Sequence, residues 1–218
     1  MTERAVFHDF VEMINTMEMP NGKRKIMIAA LELFSEQGFD GTSTAQIAER
    51  SGMSEATLFK YYNAKKALLL AIISPIISSL IPTWGGEFQR KLKQCDNDLR
   101  SLIHFIVEDR WAFLSANAPA ITVLLNELMT SKEVLSLFKS TVDQHLSVNG
   151  SDILKVFQNT NELDVEQDFK SICRLFIGQL LIFFLEKVRF NIRADVTQES
   201  EDLEIIKNHI YKALRKND

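Results

Sequence analysis

The run from Thr42 to Leu68, TSTAQIAERSGMSEATLFKYYNAKKAL, constrains this chain more than any other stretch, because it reads as two short helices around a tight turn with a third helix starting at once. Thr44 is placed to cap a helix whose inward positions are Ile47 and Ala48. Ser51-Gly52 then ends it, since Gly adopts left-handed backbone at a helix C-terminus without strain. Ser54 is placed to cap the next helix and leaves Glu55 in its first turn, where the macrodipole favours an acid; Leu58 and Phe59 are expected to turn inward. Ala48 is small enough to let the two helices cross closely. This leaves Glu55, Ala56, Thr57, Lys60 and Tyr61 on the outward side of the second helix, the one that enters the major groove in helix-turn-helix proteins. An ordinary helical hairpin shares the bare helix-Gly-helix pattern, so the flanking sequence has to decide.

Upstream, Lys23 to Gln37 is an amphipathic helix with Ile26, Ala29, Ala30, Leu33 and Phe34 on one face, closed by Gly38-Phe39 and followed by Gly41-Thr42. With these residues in place the chain closely resembles the amino-terminal domain of the TetR (tetracycline-repressor) family of transcriptional regulators. The resemblance rests on Ile26, Ala29-Ala30, Leu33-Phe34, Gly38-Phe39, Thr42, Thr44, Ile47-Ala48, Ser51-Gly52-Met53-Ser54, Thr57-Leu58-Phe59, Tyr62, Lys65 and Leu68, in order and without gaps. It implies an all-α fold with a three-helix DNA-binding head and a larger helical body for effector binding and dimerisation. The expected division is a helical extension over 1–19, the head over 20–68 and the body over 69–218.

Carried over position by position, the resemblance implies that Thr44 caps the second family helix and touches a phosphate, that Tyr61 and Lys65 also meet the phosphate backbone, and that positions 55 to 57 and 60 face the groove. Ser54, Glu55, Ala56, Thr57 and Lys60 join them as candidate DNA-binding residues. The chain departs from the family at Phe59, where Tyr is usual, so a phosphate-bonding hydroxyl is missing and neighbouring Lys60 is the available substitute. Glu55 has two readings, a helix-start acid or an acceptor for a cytosine amino group.

Charge supports a localised anion-binding surface. The chain carries a net charge of -4, yet residues 20–70 hold seven Lys and Arg against five acids, whereas residues 1–19 hold Arg4 against four acids. Phosphate binding needs such a local excess, although Lys23-Arg24-Lys25 also suits a solvated helix start. In the extension, Phe7, Phe10, Val11, Ile14 and Met17 recur at near-helical spacing and predict an extra helix. That helix packs on its own subunit or serves as an arm toward DNA or a second subunit, and its acidity disfavours DNA.

Beyond the head, a helix from about Ala64 toward Leu80 is expected to kink or end its first segment at Pro75. Pro82, Gly85 and Gly86 predict a loop. Asp98 is placed to cap a helix carrying Leu99, Leu102, Ile103, Ile106 and Phe113 inward. Asn117 to Pro119 breaks it, and Thr130 with Glu133 suggests a capping box for a helix reaching Phe157. Gly150 either breaks that helix or is tolerated in it. Asp168 to Arg189 is apolar on nearly all sides, and Glu201 to Arg215 repeats an apolar stripe. The family pairs its last two helices with their symmetry mates, which implies a homodimer with Ile172, Phe176, Leu180, Phe184, Leu203, Ile206, Ile210 and Leu214 at the interface. Such a dimer would span an inverted-repeat operator in double-stranded DNA, with half-sites about 34 Å or a multiple apart.

Trp84, Phe88, Phe105, Trp111, Phe113, Phe176 and Phe183 are the aromatics available to line a pocket for a small apolar or amphipathic effector; each alone is equally explained as core. Cys95 and Cys173 belong to no CxxC or His-Cys cluster, so no metal, cofactor or disulfide framework is expected. His8, His104, His145 and His209 are scattered, and His104 four residues before Glu108 is the nearest approach to an acid/base pair. With no phosphate loop or nucleophile elbow either, an enzyme is not the expected class. A helical protein-interaction module that kept the fold and lost DNA binding is the alternative. MTERAVFHDF does not read as a secretory signal, and Ile172 to Leu185 is too short and too polar for a membrane span. A cytoplasmic location is therefore expected.

Overall fold

The computed structural model describes residues 9–164, 166–190 and 196–216, with backbone alone at 80–84, 145–149 and 196. Eleven α-helices are assigned among them: α1 (Phe10–Thr16), α2 (Asn21–Gly41), α3 (Thr44–Ser51), α4 (Glu55–Tyr61), α5 (Lys65–Pro75), α6 (Ile81–Leu92), α7 (Leu99–Ala116), α8 (Ala118–Thr130), α9 (Lys132–Asn159), α10 (Phe169–Phe184) and α11 (Val196–Leu214). The all-α expectation holds. No single helix among the described residues is long and apolar enough to cross a membrane. The chain forms two compact units, one from the segment ending at Trp84 with Ala116–Asp143, the other from Gly85–Ser115 with the segment from Gln144 onward.

In the first unit, α2 is the organising element. Ile26, Ala30, Phe34, Ile47, Leu58 and Leu68 are all at most 1% exposed, and each large aliphatic or aromatic side chain so buried contributes about 1.5–3 kcal/mol. Gly38 has φ 80° and ψ 165°, which bends the end of α2 before Thr42; a residue with a Cβ would be strained there. Helix α1 is present as the spacing predicted, capped by Asp9 and buried through Phe10, Met13 and Ile14. It packs on α2 and on the π-helical turn Ile76–Leu80. Arg24 fastens it by donating to the carbonyls of Ile14 and Met17 at 3.2 and 2.7 Å, and the Phe10 N–H donates to Asn117 Oδ1 at 3.0 Å. The self-packing reading of the extension is the one realised here; Phe7 lies outside the described residues.

Two boundaries differ from expectation. The loop predicted at Pro82, Gly85 and Gly86 is helical: α5 ends at Pro75, the π-helical turn follows, and α6 continues directly. The π-helical turn lies between Pro75 and Pro82 and re-spaces the backbone hydrogen bonds where two residues bring no donor. The Thr130–Glu133 capping box is not formed either. Thr130 closes α8, its hydroxyl donating to the Asn126 carbonyl at 3.0 Å, and Ser131 Oγ accepts from the Val134 N–H at 3.4 Å instead.

In the second unit, Asp98 caps α7 by accepting from the Ser101 N–H at 2.9 Å, and Glu162 Oε1 accepts from the Leu99 N–H at 3.0 Å. Gly150 is tolerated within an unbroken α9 for a packing reason, since a Cβ there would stand 3.0 Å from Phe169 Cε1. Asp168 caps α10, and its bonds to Ser171 hold the carboxyl below the usual range. A second π-helical turn, Leu185–Arg189, extends α10.

Candidate nucleic-acid interface

The turn between α3 and α4 forms as the sequence predicts, with Gly52 left-handed at φ 67° and its N–H closing back on Ala48 and Glu49. The cap of α3 is Ser43, however, and not Thr44. Ser43 Oγ accepts from the Gln46 N–H while Gln46 Oε1 accepts from the Ser43 N–H at 2.8 Å, a complete capping box that frees Thr44 for another role. The signal, Ser-x-x-Gln, was present in the sequence. Thr44 sits in the first turn of α3, and its hydroxyl donates to Glu55 Oε1 at 2.6 Å, tying α3 to the start of α4. Ser54 caps α4 by accepting from the Thr57 N–H at 3.1 Å, and its Oγ also lies 2.9 Å from Thr57 Oγ1.

These bonds sort the eight expected DNA-binding residues. Thr44 is paired with Glu55 and Ser54 with Thr57, and Glu55 stands exposed in the first turn of α4. Ala56 and Lys60 are exposed and Tyr61 is half-buried on the same helix. Phe59, expected inward, is 48% exposed, because Leu58 at 0% and Tyr62 at 5% fill the inward positions and a seven-residue helix has no third one at 59. Tyr62 is sealed in so completely that its hydroxyl has no partner among the described residues and burial pushes its pKa to about 12.

Lys65 stands on α5, and its ammonium donates to the carbonyls of Phe39 and Thr42, both at 2.7 Å, while lying 4.3 Å from the centre of the Phe39 ring. It therefore braces the bent end of α2 against the start of α5. The other basic residues of the head divide similarly. Arg50 pairs with Glu32 and Glu36 at 3.3 Å, hydrogen bonds that raise its pKa, and Lys66 pairs with Glu133 at 3.3 Å. Lys23, Lys25 and Lys60 have no ion pair among the described residues. Gly22 brings the start of α2 close to the recognition helix: a Cβ there would meet Met53 Sδ at 3.2 Å and Tyr61 Cε2 at 3.7 Å, and Lys23 Nζ lies 5.6 Å from the Tyr62 ring centre. The start of α2 thus lies against the end of α4, with Lys23 and Lys60 free of ion pairs among the described residues.

Four of the expected effector aromatics form two pairs, and a fifth, Phe176, packs on Phe157. Phe88 stacks on Phe105 with centroids 5.6 Å apart, Trp111 meets Phe183 at 4.5 Å, and Phe176 packs edge-on to Phe157 at 6.2 Å. Arg110, bonded to Asp109, covers the Phe88 ring at 4.1 Å, and Phe113 is 8% exposed. Trp111 Nε1 donates to Glu199 at 3.0 Å. Trp111, Phe176 and Phe183 are buried and Phe88 and Phe105 half-buried; Phe183 borders a surface groove of about 270 Å³ together with Ile182, Ile205 and His209. The Trp84 side chain lies outside the described residues.

Every residue expected at a dimer interface is buried inside its own protomer, from Leu214 at 0% to Phe176 and Ile206 at 7%. The stripe on α11 and the matching positions of α10 pack on each other. The large apolar side chains left outward there are Ile177 (62%), Ile182 (56%), Val188 (40%) and Phe190 (62%) on α10 and its extension, with Ile205 (51%) on α11. The near-continuous apolar character of α10 could have revealed them, since residues on opposite sides cannot share one core. His104, Glu108 and Glu204 lie within ligating distance of one another, but Lys207, 7% exposed, donates to Glu204 at 2.6 Å and to Glu108 at 2.5 Å. Burial alone would lower the Lys207 pKa, and these bonds outweigh it and raise it, so an internal cation already serves both carboxylates. Of the other histidines, His8 and the His145 side chain lie outside the described residues.

Residues 26–72 match the family model for bacterial regulatory proteins of the tetR family. The transcriptional regulator RutR of Escherichia coli (strain K12) is 44% identical over 55 residues, which are 25% of this chain and 26% of that regulator. The chain thus spans about a quarter of that relative's length in the match. Over the whole chain, the fatty acid degradation regulator FadR from Bacillus halodurans superposes with a TM-score of 0.67 at 16% identity, covering 92% of this chain and 100% of that one. The regulator FadR from Bacillus subtilis, solved in complex with stearoyl-CoA, gives a TM-score of 0.60 at 16% identity, with 86% and 95% covered.

Proposed function

The chain belongs to the TetR family by its head sequence, and from that premise we propose that it is a transcriptional regulator that occupies an inverted-repeat operator as a homodimer and is released by a small-molecule effector. The observation that carries this reading is the surface of α4: Ala56, Phe59 and Lys60 stand exposed on a helix capped by Ser54, near Lys23 at the start of α2. A helix so presented, flanked by cations, fits a major groove between phosphate strands. In this reading Lys60 and Tyr61 meet DNA directly with Lys23 and Lys25, while Thr44, Ser54, Glu55, Thr57 and Lys65 hold the helix at its angle.

The dimer is supported by the exposed Ile177, Ile182, Phe190 and Ile205, whose apolar area a single protomer leaves in water. The effector is proposed as an amphipathic molecule with an acyl chain, supported by the likeness to a regulator whose structure holds stearoyl-CoA. It acts by linkage: a preference of about 1–3 kcal/mol for a state with wrongly spaced heads changes DNA affinity roughly 5–150-fold.

Selection of bound fragments from genomic DNA by the purified protein, at low salt and at about 200 mM, tests the reading. An enriched inverted repeat that survives the higher salt is expected. A folded dimer that enriches no sequence would overturn operator binding and favour a protein-interaction role.

A further inference from the structure

At the turn Thr44 is bonded to Glu55 and Ser54 to Thr57, and beyond Glu55 the exposed residues of α4 are one cation, Lys60, and two apolar groups, Ala56 and Phe59. Positions 56 and 59 are three apart, so they lie on one strip of the helix surface. At 48% exposure Phe59 leaves about half of a large ring in water. A phenyl ring has no donor or acceptor, so it cannot bond a phosphate, and set against the polar edge of a guanine, cytosine or adenine it would strip water from groups it cannot pair. The major groove offers one apolar feature on an unmodified base, the C5-methyl of thymine.

We propose that Phe59, with Ala56 beside it, reads a thymine methyl in each half-site, and that this contact, with the Lys60 ammonium, supplies the sequence preference of the head. The proposal rests on the DNA-binding reading above and specifies its chemistry. It assigns the missing hydroxyl at position 59 a consequence: a contact that would be sequence-blind becomes one that distinguishes thymine from the other bases.

The test uses the full-length protein and duplexes selected from a random pool, with each thymine of the enriched sequence replaced in turn by deoxyuridine, which removes the methyl and leaves base pairing intact. Loss of one methyl contact is expected to weaken wild-type binding about fourfold per half-site, or roughly fifteenfold with both half-sites changed. Phe59→Ala should bind the thymine duplex more weakly and be indifferent to the same replacement, with its salt dependence unchanged; Phe59→Leu should retain part of the sensitivity. Because the side chain is exposed, circular dichroism of both variants should match wild type. If an enriched sequence emerges and no deoxyuridine replacement weakens wild type, or if Phe59→Ala loses as much as wild type does, the proposal is overturned while operator binding stands. If no sequence is enriched, operator binding fails and the proposal with it.

Discussion

Lys65 gives the sharpest separation between holding the head and touching DNA. Its two bonds, to the carbonyls of Phe39 and Thr42 at 2.7 Å, are charge-assisted, and such bonds contribute about 1.5–3 kcal/mol each. Water can reach the freed carbonyls of a half-buried site, so the pair together is worth about 2–3 kcal/mol rather than the full sum. The Phe39 ring adds about 0.5–1 kcal/mol as a cation–π partner. Lys65→Met keeps the stem and removes the charge. We expect it to lower the unfolding free energy in urea by about 2–4 kcal/mol, a large fraction of what a domain has in total. The log–log salt dependence of whatever DNA binding survives should be unchanged, because no phosphate contact has been removed. Lys65→Arg, which keeps charge and donors, should recover part of the stability. If Lys65 instead met the backbone as a plain phosphate contact, Lys65→Met would leave stability within about 0.5 kcal/mol and flatten the salt slope by about 0.9. That outcome would refute the bracing role.

Three further perturbations read other parts of the fold. Ser43→Ala should cost about 1 kcal/mol in denaturant unfolding through loss of the capping box, whereas Thr44→Ala should cost less in stability and show its effect in DNA affinity by releasing Glu55; equal stability losses would contradict the assignment of the cap. The double substitution Ile177→Lys, Ile182→Lys should shift sedimentation from dimer to monomer with helical content intact, while Phe184→Lys, at a position 1% exposed, should unfold the protein; a double variant that still sediments as a dimer would move the interface elsewhere. Glu127 on α8 is 9% exposed, and burial, with a smaller push from Asp40 and an opposing pull from Lys66, raises its pKa. A raised folded-state pKa means that its contribution is most favourable at acid pH and is lost as pH rises through that pKa. Glu127→Gln should therefore raise the melting temperature by about 1–3 °C near pH 7 and leave it unchanged near pH 3; a benefit that persists at low pH would point to packing instead.

The head was legible in the sequence because local chemistry and tertiary packing agree there. Gly52 must be left-handed, Ser54 must cap, and Ile47 and Leu58 have one place to go, so turn, cap and core each specify the same structure. The errors fall where a local rule had two outlets. Ser43 and Thr44 are both good caps, and the choice between them was settled by Glu55, eleven residues away from Thr44, which offered the threonine hydroxyl an acceptor. Phe59 was expected inward because large apolar residues usually are, but Leu58 and Tyr62 had already filled the positions a short helix can bury. In the body, an apolar residue on α10 has two sinks, the core of its own protomer and a second copy. Periodicity alone gives a side, not a destination: Phe176 and Leu180 went inward and Ile177 and Ile182, each next to or near them in sequence, stayed out. The aromatic set shows the same ambiguity: Trp111 and Phe183 meet in the core, while Phe88 and Phe105 stack half-buried. Exposure of a side chain with no local reason to be exposed is therefore the most informative signal that the structure adds, and in this chain it picks out Phe59 on the side of α4 proposed to meet DNA and Ile177 with Ile182 on the side of α10 proposed to meet a second copy.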